Sequence, residues 1–265
     1  MQSKPTIFQT ALEYDDYIVR DHQVHGVRIL PGVTLLDSVY RMAAAEGLEP
    51  HNFSLRNILF HRPIAVSPDF NRRIRFTLTT ESDRRRIDIS SSRVAAFPSP
   101  GPGTQDANDA DTLSDAEENA ACELHPETEI AHPPPLDLSG LKAGALRKID
   151  MANAYASLRT LEITHYEFMQ VIGTAWIGED YVLAELRPGD LARRYVSEFF
   201  IHPAFLDAST IVPHAGGLTE DRESRKPYIP IYIKRFSAFR AAGDSIYVFA
   251  RSAGSGGADD VLSGD

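Results

Sequence analysis

The chain has 265 residues, 43% hydrophobic and 24% charged, the proportions of a soluble globular protein able to bury a sizeable core. No run approaches the roughly 18 consecutive apolar residues of a membrane helix, and the opening MQSKPTIFQT lacks the apolar stretch of an export signal. The net charge of −10 is local, because ten acids and no Lys or Arg fall between Gly101 and Gly140; the remainder is neutral, without the basic surplus that holds nucleic-acid backbones. Cys122 is the only cysteine and cannot close an internal disulfide, so a reducing, cytoplasmic setting is the default expectation.

In chain order, the first predicted helix opens at Pro31-Gly32 and runs to about Glu46. Val33, Leu36, Val39, Tyr40 and Ala43 share one face, and Gly47 is the stop. Pro suits a first helical turn because its missing N–H would have no intrahelical partner there. Strand-like runs follow at Phe53–Phe60, Arg72–Thr80 (Ile74, Phe76 and Leu78 alternating) and Arg86–Ser91. Phe97–Gly140 opens with PSPGPG, continues through the acidic run and closes with HPPPLDLSG. So much Pro and Gly with so little apolar content reads as a mobile, solvated linker.

Beyond it, a helix is predicted near Met151–Thr160, with strands at Glu162–Ile172, Ala175–Ile177 and Tyr181–Leu186. A second long helix begins at Pro203 and carries Phe205, Leu206 and Ile211. The runs Tyr228–Phe236 and Ser245–Phe249 complete the pattern. The chain thus divides into an N-terminal half at 1–96, a linker at 97–140 and a C-terminal half at 141–265. Each half reads as a central helix with an antiparallel sheet, an α+β arrangement. A site between such halves would draw one residue from near the start of each central helix.

Two constellations carry chemistry. In the stretch from Asp21 to Gly32, His22 lies on a short connection leading to a helix N-terminus. Histidine is the side chain suited to proton transfer near neutral pH. Gly26 would let backbone approach a ligand closely, Pro31-Gly32 fix the turn, and the N–H groups beyond them could stabilise charge on a carbonyl oxygen. In Ile201–Ser209, Asp207 falls in the early turns of the second long helix, beside an apolar run that would strengthen its hold on a proton. His25, three residues from His22, lacks a third nearby ligand, so no metal site is read.

These residues resemble a known family. His22, Gly26 and Pro31 match the HxxxGxxxxP signature of polyketide synthase dehydratases, and His202-Pro203-Ala204-Phe205-Leu206-Asp207-Ala208 is similar to the HPALLDA segment that holds their catalytic aspartate. PIYIKRF, within Tyr228–Phe239, resembles a strand near the family's C-terminal end. The resemblance implies a double hotdog, two antiparallel sheets each wrapped on a central helix. It implies a tunnel admitting the phosphopantetheine arm of an acyl carrier protein, with no cofactor bound by the chain itself. It also implies His22 as base, Asp207 as acid, and Gly26, Pro31, Gly32, Tyr166 and Ile211 as substrate-contacting positions. Adjacent ketosynthase domains are the implied partners, and the family often forms homodimers.

Two departures stand out. The family usually places Gln or His four residues after its aspartate, one helical turn on, where it can orient the carboxyl; here that position is Ile211. A YGP-type segment is replaced by Thr164-His165-Tyr166-Glu167-Phe168-Met169-Gln170, where His165 and Tyr166 read as strand residues lining or flanking the tunnel. Alternatives to dehydration are therefore a pyran-forming cyclase, a double-bond isomerase, or a branching domain that positions a chain for a neighbouring ketosynthase.

Overall fold

The computed structural model describes residues 4–81, 84–96, 115–127, 134–216 and 230–251. Along the chain these form β1 (Thr6–Leu12), α1 (Tyr17–Arg20), β2 (His22–Val24), β3 (Val27–Leu30), α2 (Leu35–Ala45), β4 (Phe53–Phe60), β5 (Ile64–Val66), β6 (Phe70–Glu81), β7 (Arg84–Ala95) and β8 (Glu117–Pro126). There follow α3 (Leu138–Ala143), β9 (Arg147–Asp150), α4 (Met151–Arg159), β10 (Ile163–His165), β11 (Val171–Ile177), β12 (Tyr181–Pro188), α5 (Asp190–Arg193), α6 (Pro203–Gly216), β13 (Tyr232–Phe236) and β14 (Ile246–Arg251). They group into two units. The first draws on Met1–Gln23, Val27–Ile130 and Pro230–Arg240, the second on Val24–Gly26, Ala131–Ile229 and Ala241–Asp265.

The first unit is built on a six-stranded antiparallel sheet in the order β1-β6-β7-β8-β4-β13. The predicted alternation in β6 holds: Ile74, Phe76 and Leu78 are buried, with Phe76 opposite Ile89 and Leu78 opposite Ile87. Such cross-strand apolar pairs stabilise a sheet and fix its register. Helix α2 begins one short 3-10 turn (Gly32–Thr34) after Pro31, and its predicted apolar face is buried throughout. Tyr40 fastens the helix to the sheet. Its ring stacks on Phe53 of β4 at 4.7 Å and meets Phe236 of β13 edge-on at 5.7 Å. Its hydroxyl accepts from the Ala238 N–H at 3.0 Å. The helix closes at Glu46-Gly47, where Gly47 N–H donates to Ala44 and Leu48 N–H to Ala43.

The tract read as a linker contains a strand. Residues 97–114 and 128–133 lie outside the described residues, but Glu117–Pro126 is β8, paired with β7 on one side and β4 on the other. Its centre is small and buried, with Asn119, Ala120, Ala121 and Cys122 all under 9% exposed. Burial pushes the Cys122 thiol up to about 12. Its acids meet cations: Glu117 pairs with the buried Arg72 at 3.2 Å, and Glu127, just beyond the strand, pairs with Arg56 at 2.9 Å and Arg235 at 3.3 Å. Hydrogen bonds from Ser54 and Arg56 hold the Glu127 carboxyl below the usual range. Acidity there answers basic residues on neighbouring strands instead of solvating a loose chain. The first unit also departs from the expected halves at β13, which comes from beyond residue 230 to pair with β4.

The second unit has a four-stranded antiparallel sheet in the order β14-β12-β11-β9. Phe205, Ala208, Ile211 and Val212 of α6 join Ala175, Val182, Ala184 and Leu186 of the sheet in one buried cluster, with Met151, Tyr155 and Leu158 of α4. Asp150 caps α4 by accepting from the Ala152 N–H at 2.8 Å. Glu162–Ile172 is not the single strand expected. β10 has three residues, a 3-10 turn follows at Glu167–Met169, and β11 then runs unbroken from Val171 to Ile177. Phe168 and Met169, both buried, belong to that turn.

Candidate active site

His22 opens β2 and is buried at 7% exposure. Its Nδ1 lies 2.7 Å from the carbonyl oxygen of Ile29 on β3. A carbonyl only accepts, so Nδ1 carries the hydrogen and the neutral ring keeps its lone pair on Nε2. The connection that makes this contact is a hairpin turn: His25 at φ 50° and Gly26 at φ 74° join β2 to β3. Positive φ at both central residues is the type I′ geometry matched to strand twist, and it favours glycine second. A Cβ at Gly26 would meet no protein atom within 4 Å; the positive φ of the turn is what favours glycine there. The short connection that carries His22 is thus a β-hairpin that orients the imidazole.

Pro31 and Gly32 enter α2. The Pro31 carbonyl accepts from the Thr34 N–H at 3.0 Å and the Thr34 hydroxyl at 2.6 Å. At Gly32 a Cβ would lie 3.0 Å from the Phe60 ring, so the glycine lets the start of the helix sit close against β4. Just before His22, the buried Asp21 is held by Arg20 through contacts of 2.7 and 2.9 Å.

In the second unit Asp207 sits in the second turn of α6 with its side chain 9% exposed. His165, the last residue of β10, reaches it: Nε2 lies 2.8 Å from Oδ2, and the His165 side chain is 2% exposed. The His165 ring packs against Tyr155 at 5.0 Å, and the Tyr155 hydroxyl accepts from the Val171 N–H. Burial drives the Tyr155 phenol well above its usual range, with the Asp207 charge adding to the effect. Ile211, one turn beyond Asp207, is part of the core cluster. Tyr166 is 46% exposed beside the 3-10 turn. The Asp207–His165 contact escaped the sequence because its partners lie 42 residues apart; only the altered segment around His165 pointed to that region.

His202 shapes the turn into α6. Its Nδ1 accepts from the Ala204 N–H at 3.2 Å, and its ring is enclosed by Phe168, Phe199 and Phe205. Burial lowers its pKa from 6.5 to about 4. The unfolded chain therefore binds a proton that the native chain refuses between those values. Stability on this account is full above about pH 6.5 and falls, by up to about 3 kcal/mol, as pH drops toward 4. Urea unfolding at about pH 7 and pH 4.5 should show that loss, and His202→Phe should flatten it. An undiminished acid loss in the variant would assign it to other groups.

Comparison with known proteins places these features in a family. Residues 1–92 match the family described as polyketide synthase dehydratase domain, and residues 133–263 match polyketide synthase dehydratase N-terminal domain. Polyketide synthase PksL of Bacillus subtilis (strain 168) is 24% identical over 233 residues, and polyketide synthase ThaG of Burkholderia thailandensis is 25% identical over 273. The matches cover 87% and 96% of this chain but only 5% and 4% of those proteins. Among solved structures, an N-terminal dehydratase from the difficidin assembly line superposes with TM-score 0.79 at 32% identity, covering 94% of this chain and 79% of that one. A monomeric dehydratase domain from a trans AT polyketide synthase split module gives 0.81 at 22% identity, with 94% and 86% covered. The fold is the double hotdog expected from the sequence motifs.

Proposed function

Because the chain belongs to the polyketide synthase dehydratase family, we propose that it removes water from a 3-hydroxyacyl thioester carried on the phosphopantetheine arm of an acyl carrier protein. His22 Nε2 takes the α-proton. Asp207, entering as the acid, gives its proton to the departing β-hydroxyl, which leaves as water. Backbone amides near Gly32 hold the thioester oxygen as enolate character develops. One proton is gained by His22 and one lost by Asp207, so resetting the pair needs a net transfer through solvent. Elimination is redox-neutral and calls for no electron carrier.

The observation that carries this reading is the His22–Ile29 hydrogen bond, which leaves the lone pair a general base requires on Nε2. Asp207 complements it: a largely buried carboxyl, close to apolar groups, suits an acid that must arrive protonated. The chain spans about a twentieth of the length of its curated relatives, which supports a carrier protein and a ketosynthase as partners within a larger assembly. A cytoplasmic setting goes with that assignment, and none of the described helices is long and apolar enough to cross a membrane. Homodimerisation is read by light scattering.

The test is intact-mass spectrometry of a carrier protein loaded with a 3-hydroxyacyl chain and incubated with this protein. Loss of one water is the expected result. Unchanged mass across several chain lengths, with the protein folded, would overturn dehydration and favour cyclisation, isomerisation or chain positioning, the readings that Ile211 keeps in view.

A further inference from the structure

We propose that His165 is the positioning residue of Asp207, supplying from β10 the orienting hydrogen bond that α6 does not offer at Ile211. The inference rests on the dehydratase reading for its consequence in turnover, but not for the contact itself. The side chain one helical turn from Asp207 is a hydrocarbon packed in the core, so it cannot direct a carboxyl. His165 approaches the same carboxyl from another element at 2.8 Å, with both side chains under 10% exposed. Away from water, a hydrogen bond to a carboxyl is both stronger and more directional than at the surface.

The imidazole is itself held. The Gln170 side-chain amide donates to the His165 carbonyl at 2.7 Å, and Tyr155 packs against the ring while its hydroxyl is fixed by the Val171 N–H. With Nε2–H donating to Oδ2, that oxygen is occupied as an acceptor and the acid's proton belongs on Oδ1. His165 thereby selects which oxygen delivers the proton.

The experiment compares steady-state dehydration by wild type, His165→Leu, His165→Gln and the double variant His165→Leu with Ile211→Gln. His165→Leu is expected to lower kcat about 100-fold with KM within about twofold. His165→Gln, which keeps an N–H donor, is expected to recover most of the loss. Ile211→Gln, restoring a donor one turn along α6, is expected to recover part of it. Full turnover by His165→Leu, or a Gln variant no better than Leu, would overturn the assignment. The contact is read separately by NMR as a slowly exchanging, downfield His165 Nε2–H resonance that disappears in Asp207→Ala. Its absence in wild type overturns the pairing. Its presence in a protein that releases no water leaves the pairing standing and removes only the dehydratase reading.

Discussion

Replacing His22 by alanine is expected to lower dehydration by about 10²- to 10⁴-fold, the usual contribution of a positioned general base. The hairpin accounts for the loss. The Ile29 carbonyl fixes the hydrogen on Nδ1 and with it the basic nitrogen, so both the lone pair and its direction disappear with the ring. Asp207→Asn should produce a loss of similar size, since the amide keeps the shape of the carboxyl but has no acidic proton to give. With both residues assigned to the one proposed step, the double variant should be little worse than either single one. His22→Ala also removes the partner of a part-buried carbonyl, at a cost of about 0.5–1.5 kcal/mol, so circular dichroism and a melting curve belong beside the mass measurement. A folded His22→Ala protein with wild-type turnover would remove His22 from the mechanism.

Tyr40→Ala should destabilise the first unit by about 3–5 kcal/mol, the range for deleting a buried aromatic side chain. Tyr40 is 1% exposed and joins three parts of the chain: its own helix, β4 through Phe53, and the C-terminal segment through Phe236 and Ala238. Burial also drives its phenol well above the usual range, so it remains a neutral acceptor for the Ala238 N–H. Tyr40→Phe keeps the ring contacts and strands that N–H, for an expected cost of about 1–3 kcal/mol. Urea unfolding measures both. If the phenylalanine variant were as unstable as the alanine variant, the hydroxyl and not the ring packing would be the principal tie.

Much of this arrangement was readable from local pattern. The face of α2, the limits of β4 and the start of α6 follow from periodicity, Pro placement and glycine stops, all of which act over a few residues. His22 and Asp207 stood out because their motifs are local as well. What escaped depends on distant partners. β8 looked like linker because its apolar residues are small and its acids frequent, and it becomes a strand through β7 and β4 on either side, with Arg72 answering Glu117. β10 was over-extended because a short strand and a 3-10 turn offer the same apolar content as a longer strand. The bond between His165 and Asp207 arises only when β10 and α6 have folded together.

The return of β13 to the first sheet has a consequence for biosynthesis. On the ribosome, β4 is complete at Phe60, but the strand that covers its outer edge begins at Tyr232. At about 5–20 residues per second, that edge waits on the order of ten to thirty seconds for its neighbour, with backbone N–H and carbonyl groups open to another nascent chain. When β13 arrives, it places Lys234 and Arg235 along the new rim, charges that discourage further strand addition. Within this unit, the last piece synthesised is also the one that seals the sheet against self-association.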